Sequence, residues 1–382
     1  MNNTSYITLS KSAVVKNVNF IRSILQPGTK LSLVVKSNAY GHGIEQYVPL
    51  LEKCGVDHFS VFNYDEAVRV LSVTNKSTVM VMGWIADKDI LEAVLNKVEM
   101  YIFNIDRLTL ILEKARKLKK KALLHLEVET GMNRTGLDKN EFKKAIRILN
   151  ENTGHFILKG FCTHLAGPES ISNYVRIKKQ LKKFATLQDQ LSKNNLKPEY
   201  LHTANSAASI VYPKAQMDMV RVGILQYGFW PSKETFIHYV SKVKNNEDPL
   251  KRVISWYSQI MTIKHIKRGE FIGYGNYYLA NQDMQIALIP IGYSNGYRRS
   301  LSNRGRVLIN GHRCAVIGII NMNMIIADIT NLENINTGDE VVIIGNQNGV
   351  EMSVSSFSDI SDQLNYEVLS RLPLDIPRIV VE

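Results

Sequence analysis

Cysteine is scarce in this sequence: Cys54, Cys162 and Cys314 are its three, far apart and odd in number. None forms a pair with metal-ligand spacing, so a disulfide scaffold and a zinc site are not expected, nor any other metal. Long hydrophobic runs are missing too. No stretch approaches roughly 18 uninterrupted apolar residues, so no membrane-spanning helix is expected. Residues 1–10 are polar and strand-like, without the basic start and apolar run of a secretory leader. A cytoplasmic location is the resulting expectation. Acidic residues are outnumbered by basic ones, 35 to 47, giving a formal net charge of +12. Such an excess raises the question of nucleic acid or an acidic membrane as partner. The basic residues are dispersed, however. Their densest run, residues 114–121, reads as the end of an amphipathic helix whose apolar face carries Leu108, Leu110, Ile111, Leu112 and Leu118. A solvated helix face explains it, and neither nucleic acid nor membrane is expected as a partner.

What is present is an ordinary globular balance, 45% hydrophobic and 21% charged, over 382 residues. That length suffices for two domains and one large core. From about residue 10 to 235, short apolar runs rich in β-branched residues alternate with segments of helical spacing. The strand-like runs are residues 31–35, 58–61, 79–82, 100–103, 122–128 and 158–163. Units of roughly 25–30 residues in this order predict parallel strands with helical crossovers. About eight of them close a (β/α)8 barrel, a TIM-like α/β fold with its chemistry at the C-terminal strand ends. After Pro231 the texture changes. Residues 242–249 (KVKNNEDP) form a polar stretch that reads as a surface loop or linker. Beyond residue 253 the runs are short and strand-like: 285–290, 306–309, 314–320, 325–329 and 340–344. Asn310-Gly311 and Thr337-Gly338-Asp339 supply turn chemistry between them. The expectation is a barrel over residues 10–236 and a C-terminal, mainly-β domain over 237–382, joined by residues 1–9.

The strongest local signal is VVKSNAYGHG, residues 34–43. It puts Lys36 at the end of an apolar strand, before a glycine-containing turn. In a barrel its amine then stands in the mouth, partly desolvated, which lowers a lysine pKa and frees the amine for reaction with a carbonyl. Taken alone, Lys36 is equally a strand-end lysine reaching for water.

Other segments resolve that ambiguity. VVKSNAYGHG resembles the cofactor-lysine motif of the alanine racemases, and matching segments follow in the family's order along nearly the whole chain. They are EVETGMNRTG (127–136), THLA (163–166), HTANSAAS (202–209), VRVGILQYG (220–228), Ile272 to Gly275, IGYSNGY (291–297), NMN (321–323) and NYE (365–367). The resemblance implies a barrel with an appended β domain, pyridoxal 5′-phosphate as cofactor, a small amino-acid substrate and a head-to-tail homodimer. It implies that Lys36 holds the cofactor and serves as one of two catalytic bases, the other being Tyr274 from the partner subunit. Racemisation takes a proton from one face of a planar intermediate and returns one to the other, so two proton-handling groups are needed on opposite sides. Arg221 matches the arginine facing the pyridine nitrogen. A guanidinium does not give up its proton, so that nitrogen stays unprotonated and the ring is a weaker electron sink. His164 matches a residue that hydrogen-bonds this arginine. Tyr40, Ser206, Gly223 and Ile224 match the phosphate cradle, and Arg134 and Met322 the substrate-binding positions. His202 and Asn205 are expected in support, with Tyr293 lining the entrance from the partner.

Three positions depart from the family pattern. Many relatives carry a modified lysine where Glu127 stands; a glutamate is also a short-reach anion, and it is expected to orient Arg134, unless it points instead to a surface cation. Asn323 replaces the usual aspartate. Leu374 replaces a tyrosine that helps bind the phosphate and bounds the substrate pocket; its hydroxyl would contribute about 1–2 kcal/mol if charge-assisted. The first reading is therefore an alanine racemase supplying D-alanine for peptidoglycan. The alternatives are a racemase of serine, lysine or broader range and, against the presence of Tyr274, a non-catalytic cofactor-binding barrel.

Overall fold

The computed structural model describes residues 4–74, 76–243, 247–354 and 365–382, with the side chains of Asn365 and Tyr366 outside that set. Part of the 242–249 stretch and the side chains of two of the three NYE residues therefore lie outside the described residues.

Two compact units emerge. One comprises residues 13–37 and 47–251; the other comprises the chain up to Ser12, residues 38–46 and residues 252–382. The expected boundary at 236/237 falls inside the helix Lys233–Val240. That helix packs on the helix Ser206–Val211 of the first unit, which moves the division to 251/252. The loan of residues 38–46 to the second unit has no counterpart in the sequence pattern.

Strand β1 is Ser5–Ser10; the strands of the first unit are β2 Lys30–Val34, β3 His58–Val61, β4 Thr78–Val81, β5 Glu99–Ile102, β6 Ala122–Glu127, β7 Phe156–Cys162, β8 Tyr200–His202 and β9 Met219–Val222. All eight pair in parallel, in the order β8-β7-β6-β5-β4-β3-β2-β9. The two ends of this order meet. The Asp218 amide donates to the Leu201 carbonyl (3.0 Å) and the Arg221 amide to the Ala204 carbonyl (3.0 Å), so the ring closes. Strands such as β3, β5 and β9 are buried on both faces, because helices cover the outside and side chains fill the inside. Local chemistry starts the helices where it should. Asn63 and Asn104 accept from the third amide of their helices, and Asp138 forms a capping box with Glu141. The basic run ends the helix Ile105–Leu118, whose buried face is Leu108, Ile111, Leu112 and Ala115.

The second unit is a ten-stranded sheet made of β1, β10 Ile254–Gln259, β11 Thr262–Ile266, β12 Met284–Ile289, β13 Arg306–Ile309, β14 His312–Ile317, β15 Ile325–Asp328, β16 Glu340–Gln347, β17 Val350–Met352 and β18 Arg378–Val381. Its pairings are antiparallel except for β1 with β18. Strict alternation along β1 and β10 marks sheets with one face inward. Asn310 and Gly311 both take positive φ (50° and 77°), the two-residue hairpin turn that links β13 to β14.

Candidate active site

Strand β2 ends at Val34, and its last carbonyl is clamped twice, by Gln226 Nε2 and by the Tyr227 hydroxyl, each at 3.0 Å. Two residues on stands Lys36. Desolvation lowers its pKa, Arg134 nearby adds to the effect, and Glu66 opposes it. The desolvated amine expected from the sequence is thus present, with a second cation beside it.

The chain then makes an unusual turn. Ser37, Asn38, Ala39 and Tyr40 all take φ between 51° and 55°, a left-handed helical turn, followed by Gly41 at 80°. Left-handed geometry costs about 1–2 kcal/mol per non-glycine residue, so such a run persists only where its surroundings hold it. Asn38 Oδ1 accepts from the Ile44 amide (3.2 Å) and the Asn38 carbonyl from Gly43 (2.9 Å). His42 Nδ1 donates to the carbonyls of Tyr40 (3.0 Å) and Ala39 (3.1 Å), and burial pushes its pKa down to about 3, so it is neutral. A Cβ on Gly41 would come within 2.0 Å of the Leu369 carbonyl oxygen, so only glycine fits there. Arg378 donates to the Gly41 carbonyl (3.0 and 3.2 Å) and to that of Leu374 (2.9 Å). Tyr40 and the family departure Leu374 therefore belong to one hydrogen-bonded assembly. Leu374 is exposed.

Arg221 lies on β9, 5% exposed. It donates to Nδ1 and the carbonyl of His202 and to the carbonyl of Thr163 (3.1 and 2.9 Å for the carbonyls). The imidazole hydrogen-bonded to Arg221 is thus His202, expected only in support. Among the described residues no hydrogen bond joins His164 to Arg221. The expectation for His164 is corrected accordingly: its carbonyl accepts from Gln180 Nε2 (3.0 Å). Burial first, then the charges of Arg221, Arg134 and Lys36, hold the His164 pKa down at about 3. The same fact shows that these three cations and His164 share one neighbourhood.

At the ends of β8 and β9, Ser206 Oγ accepts from the Gly223 amide (2.9 Å). That bond leaves the serine hydroxyl hydrogen to point elsewhere, with Ile224 opening the 3-10 turn Ile224–Tyr227. Asn205 has a plainer task than expected: it caps the helix Ser206–Val211 by accepting from Ala208 (3.0 Å). Glu127 is 5% exposed at the end of β6, which rules out the surface-cation reading. Burial raises its pKa, against a hydrogen bond from Thr135 and the charges of Arg221 and Arg134. It lies within reach of the charge of Arg134, and Thr135, the next residue along, donates to it. Glu129 closes the loop that leads to them by accepting from the amides of Gly131 and Asn133.

In the β unit, Tyr293, Met322 and Asn323 come together on two zipped loops. The Tyr293 amide donates to the Asn321 carbonyl (3.1 Å), Ser294 donates to the Met322 carbonyl from its amide (3.0 Å) and hydroxyl (2.7 Å), and Asn323 Nδ2 donates to Ser294 Oγ (2.7 Å). Gly292 permits this, since a Cβ there would meet Asn321 O at 2.2 Å. Tyr274 sits between Gly273 and Gly275, both at positive φ, with 71% of its surface exposed. Sequence reasoning missed Gln180, Gln226 and Tyr227, whose part is to hold backbone carbonyls. It also missed Glu99, His58 and His125, though a carboxylate inside the apolar run of β5 was a legible signal.

The chain matches two family models, the alanine racemase N-terminal domain over residues 9–231 and the alanine racemase C-terminal domain over residues 253–380. It is 33% identical to the alanine racemase of Leptospira interrogans, covering 99% of this chain and 96% of that one. It is 31% identical to that of Methanococcus maripaludis, covering 96% of each. Among solved structures, the alanine racemase of Clostridium difficile 630 superposes with a TM-score of 0.91 at 28% identity over 100% of this chain and 96% of the other. That of Bartonella henselae, with covalently bound pyridoxal phosphate, superposes with a TM-score of 0.85 at 28% identity over 99% of this chain and 100% of the other. With both halves matched and the fold shared end to end, the chain belongs to the alanine racemase family.

Proposed function

We propose that alanine is racemised here by two proton-handling groups, Lys36 and Tyr274 of the partner subunit, on a pyridoxal 5′-phosphate held by Lys36. The observation that carries this reading is the gathering of Lys36, His164 and buried Arg221 at the C-terminal ends of the barrel strands, within reach of the charge of exposed Arg134. When bound, the cofactor withdraws electrons from the substrate α-carbon and makes its proton labile.

The residues fit that group. Lys36 offers an amine whose free form is favoured by burial and by Arg134, as attachment to an aldehyde requires. The Ser206 hydroxyl, already accepting from Gly223, keeps its own hydrogen to donate, and with the Ile224 amide it offers donors for an anion. Arg221 keeps its proton and donates to whatever faces it, so an aromatic nitrogen there stays unprotonated. Arg134 supplies a cation for the substrate carboxylate, with Glu127 behind it. As a free amine, Lys36 would take or return the proton on one face. Tyr274 does so on the other. Its exposure suits a residue that completes the site of a second copy in a head-to-tail dimer, with Tyr293, Met322 and Asn323 at the rim.

The test is exchange of the α-proton of D- and L-alanine in deuterated water by the purified holoenzyme, beside serine and lysine. Alanine is expected to exchange fastest from both enantiomers. Faster exchange of serine or lysine moves the assignment to that substrate, and no exchange with any of them rejects it.

A further inference from the structure

The inside of the first unit is not filled by branched apolar side chains alone. A chain of buried polar groups crosses it: Arg221 on β9, His202 on β8, His125 on β6 and Glu99 on β5, each 5% exposed or less. A second arm reaches Glu99 from Ser60 and Ser32 through His58. Buried polar chains are costly unless every member is paired, so the direction of each bond matters.

Those directions follow from one fact: a guanidinium only donates. Arg221 Nη1 therefore makes His202 Nδ1 an acceptor, which leaves the His202 proton on Nε2. That proton goes to His125 Nδ1 at 2.8 Å. His125 then carries its own proton on Nε2 and gives it to Glu99 Oε2 at 2.7 Å. In the second arm His58 Nε2 meets the same oxygen at 3.0 Å, and its Nδ1 pairs with the Ser32 hydroxyl at 2.8 Å. The Ser32 hydroxyl is in turn hydrogen-bonded to that of Ser60 at 2.5 Å. Both arms end on one carboxylate oxygen, and the arm through His202 and His125 runs from a cation to an anion. The backbone makes room for this. β6 and β7 slip register between the pairs Leu124↔Leu158 and His125↔Gly160. Gly160 there faces the two histidines: a Cβ on it would lie 2.0 Å from His125 Nδ1 and 2.7 Å from His202 Nε2. The bulged residue, Lys159, brings its amine within 3.9 Å of the other Glu99 oxygen.

We propose that Glu99 is a positioning residue for Arg221: by accepting at the end of this chain it fixes the tautomers of His125 and His202, and so the orientation of the guanidinium. Without an acceptor at 99, His125 has no partner for its Nε2 proton, and moving that proton to Nδ1 sets two donors against each other at His202. The guanidinium then loses its fixed acceptor. The consequence for turnover rests on the reading of Arg221 as the residue facing the cofactor's pyridine nitrogen; the tautomers do not.

The experiment records long-range proton–nitrogen correlations of the histidine rings in the holoenzyme, assigned with His125→Gln and His202→Gln, between pH 6 and 8. His125 and His202 are expected neutral, each with its proton on Nε2. An imidazolium, or a proton on Nδ1, at either of them overturns the proposal whether or not alanine is turned over. Glu99→Met, which removes the acceptor, is expected to shift the His202 tautomer and to lower kcat about 10- to 100-fold with little change in KM, as a small misplacement of an orienting group does. Glu99→Gln keeps a carbonyl acceptor at the same place, and is expected to restore the wild-type tautomers and most of kcat. Should Glu99→Met fail to fold, Gly160→Ala, which wedges the two histidines apart without removing a charge, is expected to give the same paired change. Unshifted tautomers in Glu99→Met, or equal losses in Glu99→Gln and Glu99→Met, overturn it; a shifted tautomer with unchanged kcat overturns instead the reading of Arg221 as facing the pyridine nitrogen.

Discussion

The site residues of the barrel unit and those of the β unit are built to opposite plans. Arg221, His202, Glu127 and Ser206 are nearly out of solvent, and their polar atoms are tied to neighbours in the same unit. Tyr274, Tyr293, Met322 and Leu374 have between 44% and 71% of their surface exposed. Hydrogen bonds hold the backbone of Tyr293, Met322 and Leu374. The barrel side is organised inside one chain. The β side presents its side chains to solvent.

The sharpest test of that contrast removes one residue from each plan. Lys36→Ala deletes both the attachment point and a base, and activity is expected to fall by about four orders of magnitude or more. Tyr274→Phe is expected to lose about 10²–10⁴-fold, as for one acid–base group. Mixed and reassociated, the two inactive variants are expected to regain about a quarter of wild-type activity, since half the dimers are hybrids and each hybrid holds one intact site. No recovery on mixing would break the idea that the exposed tyrosine serves a second copy.

Gly292→Ala probes the β side alone. Its Cβ would collide with the Asn321 carbonyl, so the loops bearing Tyr293 and Met322 must part. The expected result is a KM raised about tenfold, as uniform binding is lost, with the barrel histidine signals unchanged. If those signals move, the two sides are not independent.

Acid probes a buried histidine in each unit. Burial holds His164 and His42 near a pKa of about 3, whereas unfolded histidine titrates near 6.5. Between those values the unfolded chain binds protons that the folded chain does not. Stability therefore rises with pH across that window and is lost as pH falls through it. The Tm is expected to be several degrees lower at pH 5 than at pH 7, and His164→Asn should narrow the gap. An unchanged gap in that variant removes His164 from the account. The smallest effect is expected from Glu127→Gln, a rise in KM of about threefold, because its charge acts on Arg134 without a direct bond. Unchanged kinetics would leave Glu127 as a loop anchor through Thr135.

Much of this was legible beforehand. The alternation of strand runs and helical spacings gave the barrel, and the short runs after residue 253 gave the β unit, because hydrophobic period reports which faces are buried. Lys36 was legible as a strand-end lysine before a glycine turn. The division at 251/252 was not. Neither was the exchange of roles between His164 and His202, since which imidazole meets Arg221 depends on a glycine and a register slip two strands away.

By itself, then, the sequence determined the element types, the order of the motifs and the residue kinds available for proton transfer, all of which are set by local periodicity and side-chain chemistry. Only the tertiary structure decided the left-handed turn after Lys36, the burial that frees its amine, and the polar chain from Arg221 to Glu99. Those depend on residues far apart in the chain meeting at hydrogen-bond distance, where an arginine's inability to accept a proton sets the direction of every bond that follows.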